Sequence, residues 1–458
     1  MASGRVLDEV LDEAAGTRIL TCSYKQFSQL TLLLDVHLPA HTESSDALPI
    51  LIWYHGGGLL QDDRRNVAPH LKASVARSDC IVVSVDYRLA PQIPVDEIVS
   101  DCIDALEFAY TNLSLILEQE DRFTRGDPSR IVIAGGSAGG YLALLTASSA
   151  PAHIQPSIKA CLAIYPITDP FGPFFTSSHD LHVPYDTKQL APFIDPHGQV
   201  MSGNDQAGLR GKMYFYMLEH ANLATLLDVE GSAKRAGRSF RVQEEFKQRG
   251  LADTLPAIYM IHGDADRAVG VDQAHVVRDV LVARRRAQQA RGLKADQFKY
   301  VEVPGADHLF DKDPKETMAD MYTFMQHALA GIDVTPESAD SKNATTTFTD
   351  TAVSQSTPIK ATSYTSSVAS SSDDDYSDLS DQDDRYSADR HWHQSMQELG
   401  TLANLILLPY LGKYFGRQFA FWSWAKWVTW RYPGVHVDVD KTTNRVTGAI
   451  VAGMSSLG

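Results

Sequence analysis

Ser137 lies between glycines in the stretch IVIAGGSAGGYLALL, residues 131–145. A run of β-branched residues precedes it, and small apolar residues at helical spacing follow, so a G-x-S-x-G pattern falls at a strand-to-helix turn. A serine at such a turn has a strained backbone and an exposed hydroxyl, and the new helix offers free amides to an oxyanion. The pattern predicts a nucleophilic serine; a glycine-rich turn with an incidental serine is the alternative.

A second glycine motif, His55-Gly56-Gly57-Gly58, directly follows the apolar run PILIWY. Consecutive glycines let a backbone approach a ligand closely and point amide N–H groups at it. Such a loop, together with the amide of the residue after the nucleophile, forms an oxyanion hole. The expected donors are the amides of Gly57, Gly58 and Ala138, and a flexible loop is the alternative.

A serine hydroxyl needs a histidine as base, and the histidine needs a carboxylate that orients it. In a strand–turn–helix design of this kind, both follow the serine in the chain, the carboxylate first and the histidine second. IYMIHGDADRAVG offers Asp264 and Asp266, of which Asp266 is favoured because it lies further out on its loop. YVEVPGADHLF offers His308 on a loop after a strand, and Asp307 beside it is expected at the surface. The competing histidines are His179, His182, His197, His220 and His262.

Alternating strands and helices must position these residues. The patterns predict an opening strand pair, then buried strands, over residues 17–25, 30–39, 49–55, 80–87, 130–135, 159–166, 256–262 and 298–304. Helices are predicted at residues 96–110, after Ser137, at 271–286 and at 314–329. This alternation favours an α/β fold with a mostly parallel sheet and helices on both faces. Ligand sites in such sheets lie at the carboxyl ends of the strands.

Three segments interrupt this rhythm. Residues 171–250, rich in aromatics, histidine and proline, are too long for a simple connection and predict a helical cap inserted into a hydrolase domain of residues 1–330. Residues 331–390 are rich in Ser, Thr and Asp, with few apolar residues, and predict a disordered linker. Residues 391–458 turn apolar again and form a separate C-terminal module.

Composition narrows the class of protein. The chain has 458 residues, 44% of them hydrophobic, and a net charge of −16, which disfavours a nucleic-acid partner. Four scattered cysteines lack metal-ligand spacing and predict reduced, structural thiols in an intracellular protein. The first twenty residues lack the basic start and apolar run of a signal peptide, so none is expected.

The motifs HGGG, SVDYRLAPQIPVDEIVSDCIDAL, GGSAGG, HGDADRAV and PGADHLF occur in this order. Over residues 17–330 the combination resembles the hormone-sensitive-lipase-like branch of the α/β-hydrolase superfamily. The resemblance implies hydrolysis of carboxylic esters of short or medium acyl chains, acting on small molecules without metal or cofactor. It also implies a set of six site residues: Ser137, Asp266 and His308 as the triad, with Gly57, Gly58 and Ala138 as the oxyanion hole.

Two further features concern the support of this site. Asp86 and Arg88, in DYRLAP, are expected to brace nearby loops through ion pairs or hydrogen bonds. Gly136 stands where the family usually has an aspartate before the serine. That carboxylate is a supporting group, so its absence leaves the chemistry intact and changes the bracing of the loop.

The C-terminal module carries four of the six tryptophans within nine residues, which is typical of a membrane–water boundary. Gly412 and Gly416 form G-x-x-x-G, which permits close helix contact in lipid, while Lys413 and Arg417 interrupt the apolar run. A membrane-embedded helix is favoured, and a helix docked on the hydrolase is the alternative. The clustered tryptophans are Trp422, Trp424, Trp427 and Trp430.

The segment LILLPYLGKYFGRQFAFWSWAKWVTWRYP, preceded by Asp/Ser-rich sequence, resembles the small second subunit of the fungal mitochondrial outer-membrane insertase, the MIM complex. That subunit assists insertion of α-helical outer-membrane proteins. The resemblance implies a membrane or insertase partner through residues 400–432 and a place at the mitochondrial outer membrane; without it the chain is expected in the cytoplasm. A fusion of two functions and a join of two neighbouring genes both remain open.

Three functions compete on these grounds. The leading one is a serine esterase with a membrane-associated C-terminal module. A second is an outer-membrane import or insertion subunit whose hydrolase domain is a passenger or silent. A third keeps the triad and hydrolyses amides, lactones or carbamates.

Overall fold

The computed structural model describes residues 6–12, 16–40, 46–120, 124–179, 183–334, 435–439 and 446–450. The chain divides into two units, Met1–Thr346 and Thr347–Gly458. The predicted linker and C-terminal module therefore lie outside the described residues, apart from residues 331–334 and two short strands.

The first unit is built on a nine-stranded sheet in the order β1-β2-β3-β5-β4-β6-β7-β8-β9. The strands from β4 to β9 run parallel, and β1, β2 and β3 add antiparallel pairings along one side. The strands β4, β5 and β8 are buried along their whole length, and β7 at all but one residue, as expected where helices cover both faces of a sheet. The strands are β1 Val6–Asp12, β2 Thr17–Gln26, β3 Thr31–Pro39, β4 Leu48–Tyr54, β5 Ile81–Val85, β6 Gly126–Gly136, β7 Ile158–Ile164, β8 Ala257–Gly263 and β9 Phe298–Val303.

Helices pack on both faces of this sheet. The two faces of the sheet carry separate hydrophobic cores, and alternate residues of β4 belong to different ones. Ile52 lies in the core under α2, α3 and α9, and Leu51 lies in the core under α1 and α10. The α/β fold predicted from the sequence is confirmed. These helices are α1 Pro69–Ala76, α2 Val95–Glu120, α3 Ala138–Ser149, α9 Asp272–Ala290 and α10 Ala319–Leu329.

The insertion between β7 and β8 is helical, as predicted. Its residues reach the loops that follow the carboxyl ends of the strands: Tyr214 donates a hydrogen bond to the carbonyl of Ala268, and Tyr141 of α3 donates to the carbonyl of Phe240. The insertion therefore covers the sheet edge at which ligand sites form. Its helices are α4 Thr187–Ile194, α5 Met213–His220, α6 Leu223–Leu226, α7 Val229–Ala236 and α8 Val242–Gln248.

In the second unit the described residues form an antiparallel pair, β10 Val435–Val439 and β11 Val446–Ile450. Residues 400–432, which carry the predicted membrane contact, are outside the described residues. None of the helices in the described ranges combines the length and the hydropathy that crossing a bilayer requires.

Candidate active site

Ser137 occupies the sharp turn between β6 and α3. Its φ of 58° and ψ of −121° are strained for a residue with a side chain. The turn is held by the Ser137 amide, which donates to Ile164 at 2.9 Å, and by its carbonyl, which accepts from Tyr141 at 3.1 Å and from Ile167 at 3.2 Å. Three backbone hydrogen bonds, to the end of β7, to the loop after β7 and to the first turn of α3, thus hold the strained residue in place.

The His55–Gly58 loop lies directly beside this turn. A Cβ on Gly56 would come within 3.4 Å of the Ser137 Cβ and 3.1 Å of the Gly136 carbonyl oxygen. Gly57 and Gly58 have φ values of 97° and 70°, which L side chains rarely adopt. Gly56 therefore lies against the predicted nucleophile, and the two glycines predicted as oxyanion donors follow it in a conformation that glycine permits.

Buried rings hold the glycine loop in place. His55 stacks on Tyr87 with ring centroids 4.2 Å apart, and the Tyr87 hydroxyl donates to the His55 carbonyl at 2.7 Å. From the insertion, Tyr214 covers the other side, since a Cβ on Gly58 would be 2.5 Å from its ring. Tyr214 also donates from its hydroxyl to the carbonyl of Ala268 at 2.7 Å. This tyrosine joins the glycine loop to the loop that carries Asp266.

The structure brings His308 and Asp266 together. His308 Nδ1 lies 2.7 Å from Asp266 Oδ2, and the other oxygen of Asp266 accepts hydrogen bonds from the amides of Ala268 and Val269, both at 2.8 Å. Burial alone would raise the pKa of the Asp266 carboxyl, but hydrogen bonds from His262 and His308 hold that pKa below its ordinary range. The carboxylate is therefore ionised and able to orient the imidazole.

Asp264 does not share this position. It is exposed, and its carboxylate accepts a hydrogen bond from the Gly305 amide at 2.6 Å. Asp307 pairs with Arg267, which links the acid loop to the histidine loop near the surface. Of the two candidate acids, the structure places Asp266 and not Asp264 at His308.

The competing histidines have other partners or positions. His262 is fully buried behind Asp266, with Nε2 at 2.8 Å from the Val269 carbonyl and 3.3 Å from Asp266 Oδ2. Nε2 of His179 bonds to the Phe174 carbonyl and Nδ1 of His220 to the Tyr216 carbonyl. His197 is exposed, and His182 lies outside the described residues.

The structure shows no hydrogen bond between Ser137 Oγ and His308, although both residues belong to the described part of the chain. Since Nδ1 faces Asp266, Nε2 is the nitrogen that remains for a hydroxyl or a substrate. Catalytic hydrogen bonds are often long without substrate and shorten in the complex. The use of these residues as a catalytic triad remains a prediction.

The predicted bracing residues make the expected kinds of contact. Asp86 accepts hydrogen bonds from the amide and the guanidinium of Arg64, both at 2.8 Å. Arg88 donates to Asp101 from two guanidinium nitrogens, at 2.7 and 3.0 Å, and to Glu97 at 3.0 Å. Both side chains are buried and tie the segment after β5 to its neighbours.

Two residues near the site escaped the sequence patterns. Arg210, three residues before α5, is fully buried and donates to the carbonyls of Leu60 and Ala90, both at 2.7 Å. Tyr165 directly follows β7, and its ring centroid lies 4.4 Å from that of His308. A Tyr-Pro pair directly after a strand was the available signal for Tyr165; nothing in the pattern marks Arg210.

Comparison with known families matches two separate segments. Residues 51–196 match the sequence model of a family described as alpha/beta hydrolase fold, and residues 386–430 match one described as Mitochondrial import 2. Both resemblances predicted from the sequence are thereby confirmed over these segments. The first match includes Ser137 and the glycine loop and ends before Asp266 and His308.

Curated relatives are similar to parts of this chain. A non-reducing polyketide synthase, ausA of Penicillium brasilianum, is 30% identical over 365 residues, which cover 69% of this chain and 14% of the synthase. Probable carboxylesterase 13 of Arabidopsis thaliana is 36% identical over 115 residues, 24% of this chain and 35% of that protein. The chain thus spans a small part of the synthase and about a third of the carboxylesterase.

Among solved structures, an esterase of Pyrobaculum calidifontis is similar with a TM-score of 0.43 and 20% identity, covering 72% of this chain and 87% of the esterase. A Staphylococcus aureus protein of unknown function has a TM-score of 0.49 and 16% identity, covering 68% of this chain and 99% of that protein.

Proposed function

We propose, from the α/β-hydrolase fold as premise, that this chain is a serine hydrolase that cleaves carboxylic esters of small molecules with short or medium acyl chains. The observation that carries the proposal is the 2.7 Å contact between His308 and Asp266, on loops that leave the same end of the sheet as the strained Ser137. The carboxylesterase among the relatives supports an ester as substrate.

Each residue then has a distinct role. His308 Nε2 takes the proton of Ser137 as its hydroxyl attacks the ester carbonyl, and Asp266 holds the imidazole in the required tautomer. The amides of Gly57, Gly58 and Ala138 stabilise the oxyanion of the tetrahedral intermediate. The alcohol leaves with the proton from the imidazolium, and water activated by His308 releases the acid and restores the free serine. The chain's own residues supply every group in this sequence of steps.

The test uses the full chain and a fluorophosphonate probe. Wild-type protein should be labelled at Ser137 and should hydrolyse p-nitrophenyl butyrate, whereas Ser137→Ala should lose labelling and about 10⁴-fold or more of kcat. Ser149→Ala, which removes a hydroxyl at the far end of α3, is the matched control and should behave as wild type. Hydrolysis retained by a folded Ser137→Ala variant would remove the assignment.

A panel of esters, amides, lactones and carbamates on the same proteins separates the substrate classes. All of them pass through a tetrahedral intermediate that these groups could stabilise. We expect the highest kcat/KM for esters, because an alkoxide is a better leaving group than an amide anion and puts less demand on proton transfer from His308. A higher kcat/KM for another class would move the proposal to that class.

A second function is favoured by the match of residues 386–430 to Mitochondrial import 2. We propose that this segment attaches the chain to the mitochondrial outer membrane and contacts the insertion machinery there. Clustered tryptophans and the G-x-x-x-G pattern support a position at a membrane boundary.

A further inference from the structure

The position before the nucleophile carries no side chain, and a tyrosine fills the adjoining space. A Cβ on Gly136 would lie 3.3 Å from both Cε2 and the hydroxyl oxygen of Tyr165. Tyr165 is 1% exposed, so its ring is enclosed on all sides. A side chain at position 136 would press against this ring, which would have to shift by a few tenths of an ångström even for a single methyl group.

The same ring supports the imidazole of His308. The ring centroids of Tyr165 and His308 are 4.4 Å apart at an angle of 54°, and Phe310 packs edge-on against Tyr165 at 5.6 Å. Tyr165 has a φ of 37°, a conformation that a bulky residue adopts only where its surroundings impose it. Its amide donates to the Ile261 carbonyl at 2.7 Å and fixes the backbone in that conformation.

The hydroxyl of Tyr165 is anchored to a buried carboxylate. It donates a hydrogen bond to Asp311 Oδ1, and Asp311 is fully buried three residues after His308. Asp311 Oδ2 faces His70 Nε2 at 3.3 Å, and Nδ1 of His70 lies 3.0 Å from the Tyr322 hydroxyl. The network therefore connects α1 and α10 to the loop that carries the proposed base.

Asp311 is ionised in this network. Burial alone would raise the pKa of its carboxyl, but hydrogen bonds from His70 and Tyr165 hold that pKa below the ordinary value. A buried carboxylate with satisfied oxygens makes strong, directional hydrogen bonds in a low-dielectric surrounding. Asp311 is thus a rigid anchor for the hydroxyl of Tyr165.

We infer that Tyr165 and Asp311 are positioning residues for His308, holding its ring beside Ser137 in place of any side chain at position 136. The inference rests on the proposed function. Asp266 fixes one nitrogen of the imidazole but leaves the ring free to tilt about that hydrogen bond. The Tyr165 ring packs against the imidazole and restricts this tilt. The hydrogen bond to Asp311 in turn holds the Tyr165 ring in place.

Three variants of the full chain test this role. Tyr165→Phe keeps the ring and loses the anchor, so kcat for p-nitrophenyl butyrate should fall about tenfold with KM unchanged, because misplacement of a catalytic group slows chemistry and leaves binding intact. Asp311→Ala should lose at least as much kcat, whereas Asp311→Asn keeps an acceptor for the Tyr165 hydroxyl and should recover most of it.

The matched control is Tyr259→Phe. Tyr259 is a buried tyrosine of β8 whose hydroxyl also donates to an aspartate, Asp320, at 3.0 Å. The Tyr259→Phe variant loses the same kind of hydrogen bond at a residue that does not contact His308, so the kcat of this variant should stay within about twofold of wild type. Equal kcat for wild type and a folded Tyr165→Phe variant, or equal losses in Tyr165→Phe and Tyr259→Phe, would overturn the inference.

A second readout separates this inference from the esterase proposal. In full-length chain labelled with ¹⁵N-histidine, the ring resonances of His308, assigned with His308→Gln, should shift in Tyr165→Phe and stay in place in Tyr259→Phe. This measurement does not need a substrate. An inactive wild-type protein that shows the shift would refute the proposed function alone, and unchanged His308 resonances in Tyr165→Phe would refute the positioning role.

Discussion

At the scale of single residues, the site depends on conformations that cost free energy. A side chain in a sparsely populated region such as that of Ser137 costs about 1–3 kcal/mol and persists only when its surroundings impose it. Here Ile164, Tyr141 and Ile167 supply the restraining hydrogen bonds. The strain holds a hydroxyl at the carboxyl end of the sheet, where the glycine loop approaches it.

The choice between the two candidate acids gives a prediction at this scale. Asp266→Asn should lower kcat by about 10³- to 10⁴-fold, because an amide at this position favours the wrong tautomer of His308. Asp264→Asn is the matched control, since it makes the same change two residues earlier and keeps an acceptor for Gly305; its kcat should stay within about twofold of wild type.

Steady-state kinetics on an ester, with circular dichroism to check folding, measure both variants. A large loss of kcat in Asp264→Asn with little change in Asp266→Asn would assign the acid to Asp264. Comparable activity in the two variants would remove the carboxylate from the mechanism.

Local patterns were sufficient to single out Ser137, the glycine loop and His308, because each motif is continuous in sequence and follows an apolar run. These patterns did not separate Asp266 from Asp264 by geometry. The two residues lie on one loop and differ in the direction of their side chains, which a short sequence pattern does not specify. Tyr165 could not be recognised as a partner of His308, because their contact joins the ends of two strands far apart in the chain. Contacts of this kind arise from the sheet order and not from any short pattern.

At the scale of elements, the close approach of β4 to the start of α3 explains the flanking glycines. A Cβ on Gly139 would overlap the Tyr54 carbonyl oxygen, and one on Gly135 would overlap the backbone of Gly139. Glycine is required at both positions so that the helix can begin directly against the sheet. The glycines around Ser137 thus serve packing first, and the exposure of the hydroxyl follows from that packing.

Gly139→Ala should therefore lower the free energy of unfolding by about 3 kcal/mol, the upper range for overpacking in a close-packed core. Gly211→Ala is the control, because a Cβ there meets no atom within 4 Å and the residue does not have a positive φ; its effect should stay within about 0.5 kcal/mol. Urea unfolding of the full chain, followed by tryptophan fluorescence and circular dichroism, measures both. Equal stability of Gly139→Ala and wild type would contradict this account of the turn.

Strand and helix positions along the sheet were largely accessible from apolar patterns, whereas β1 and α1 were not anticipated. The β1 sequence VLDEVLD has paired apolar and paired acidic residues, and Leu7, Val10 and Leu11 are exposed, so it lacks the alternation that marks a half-buried strand. The helix α1 has eight residues, too few for a clear helical period. Both elements form because they pair with or pack against neighbouring elements, and not because their own sequences strongly favour a strand or a helix.

At the scale of the whole molecule, the two families match segments in different units of the chain. Residues 51–196 fall within Met1–Thr346, and residues 386–430 fall within Thr347–Gly458. Every residue proposed for hydrolysis also belongs to the first unit. The two proposed functions are therefore separable by deletion.

Deletion of residues 386–430 tests both functions at once. In yeast cells that produce the full chain, we expect the protein in the mitochondrial membrane fraction, and the deletion variant should leave that fraction because it loses the tryptophan-rich segment. The kcat/KM of the purified variant for p-nitrophenyl butyrate should stay within about twofold of the full chain, since the site residues lie in the other unit.

A control deletion of residues 347–385, the Ser/Thr/Asp-rich stretch, should keep both membrane association and hydrolysis. Membrane association that survives loss of residues 386–430 would contradict the proposed attachment, and loss of hydrolysis in that variant would show that the second unit contributes to the active site.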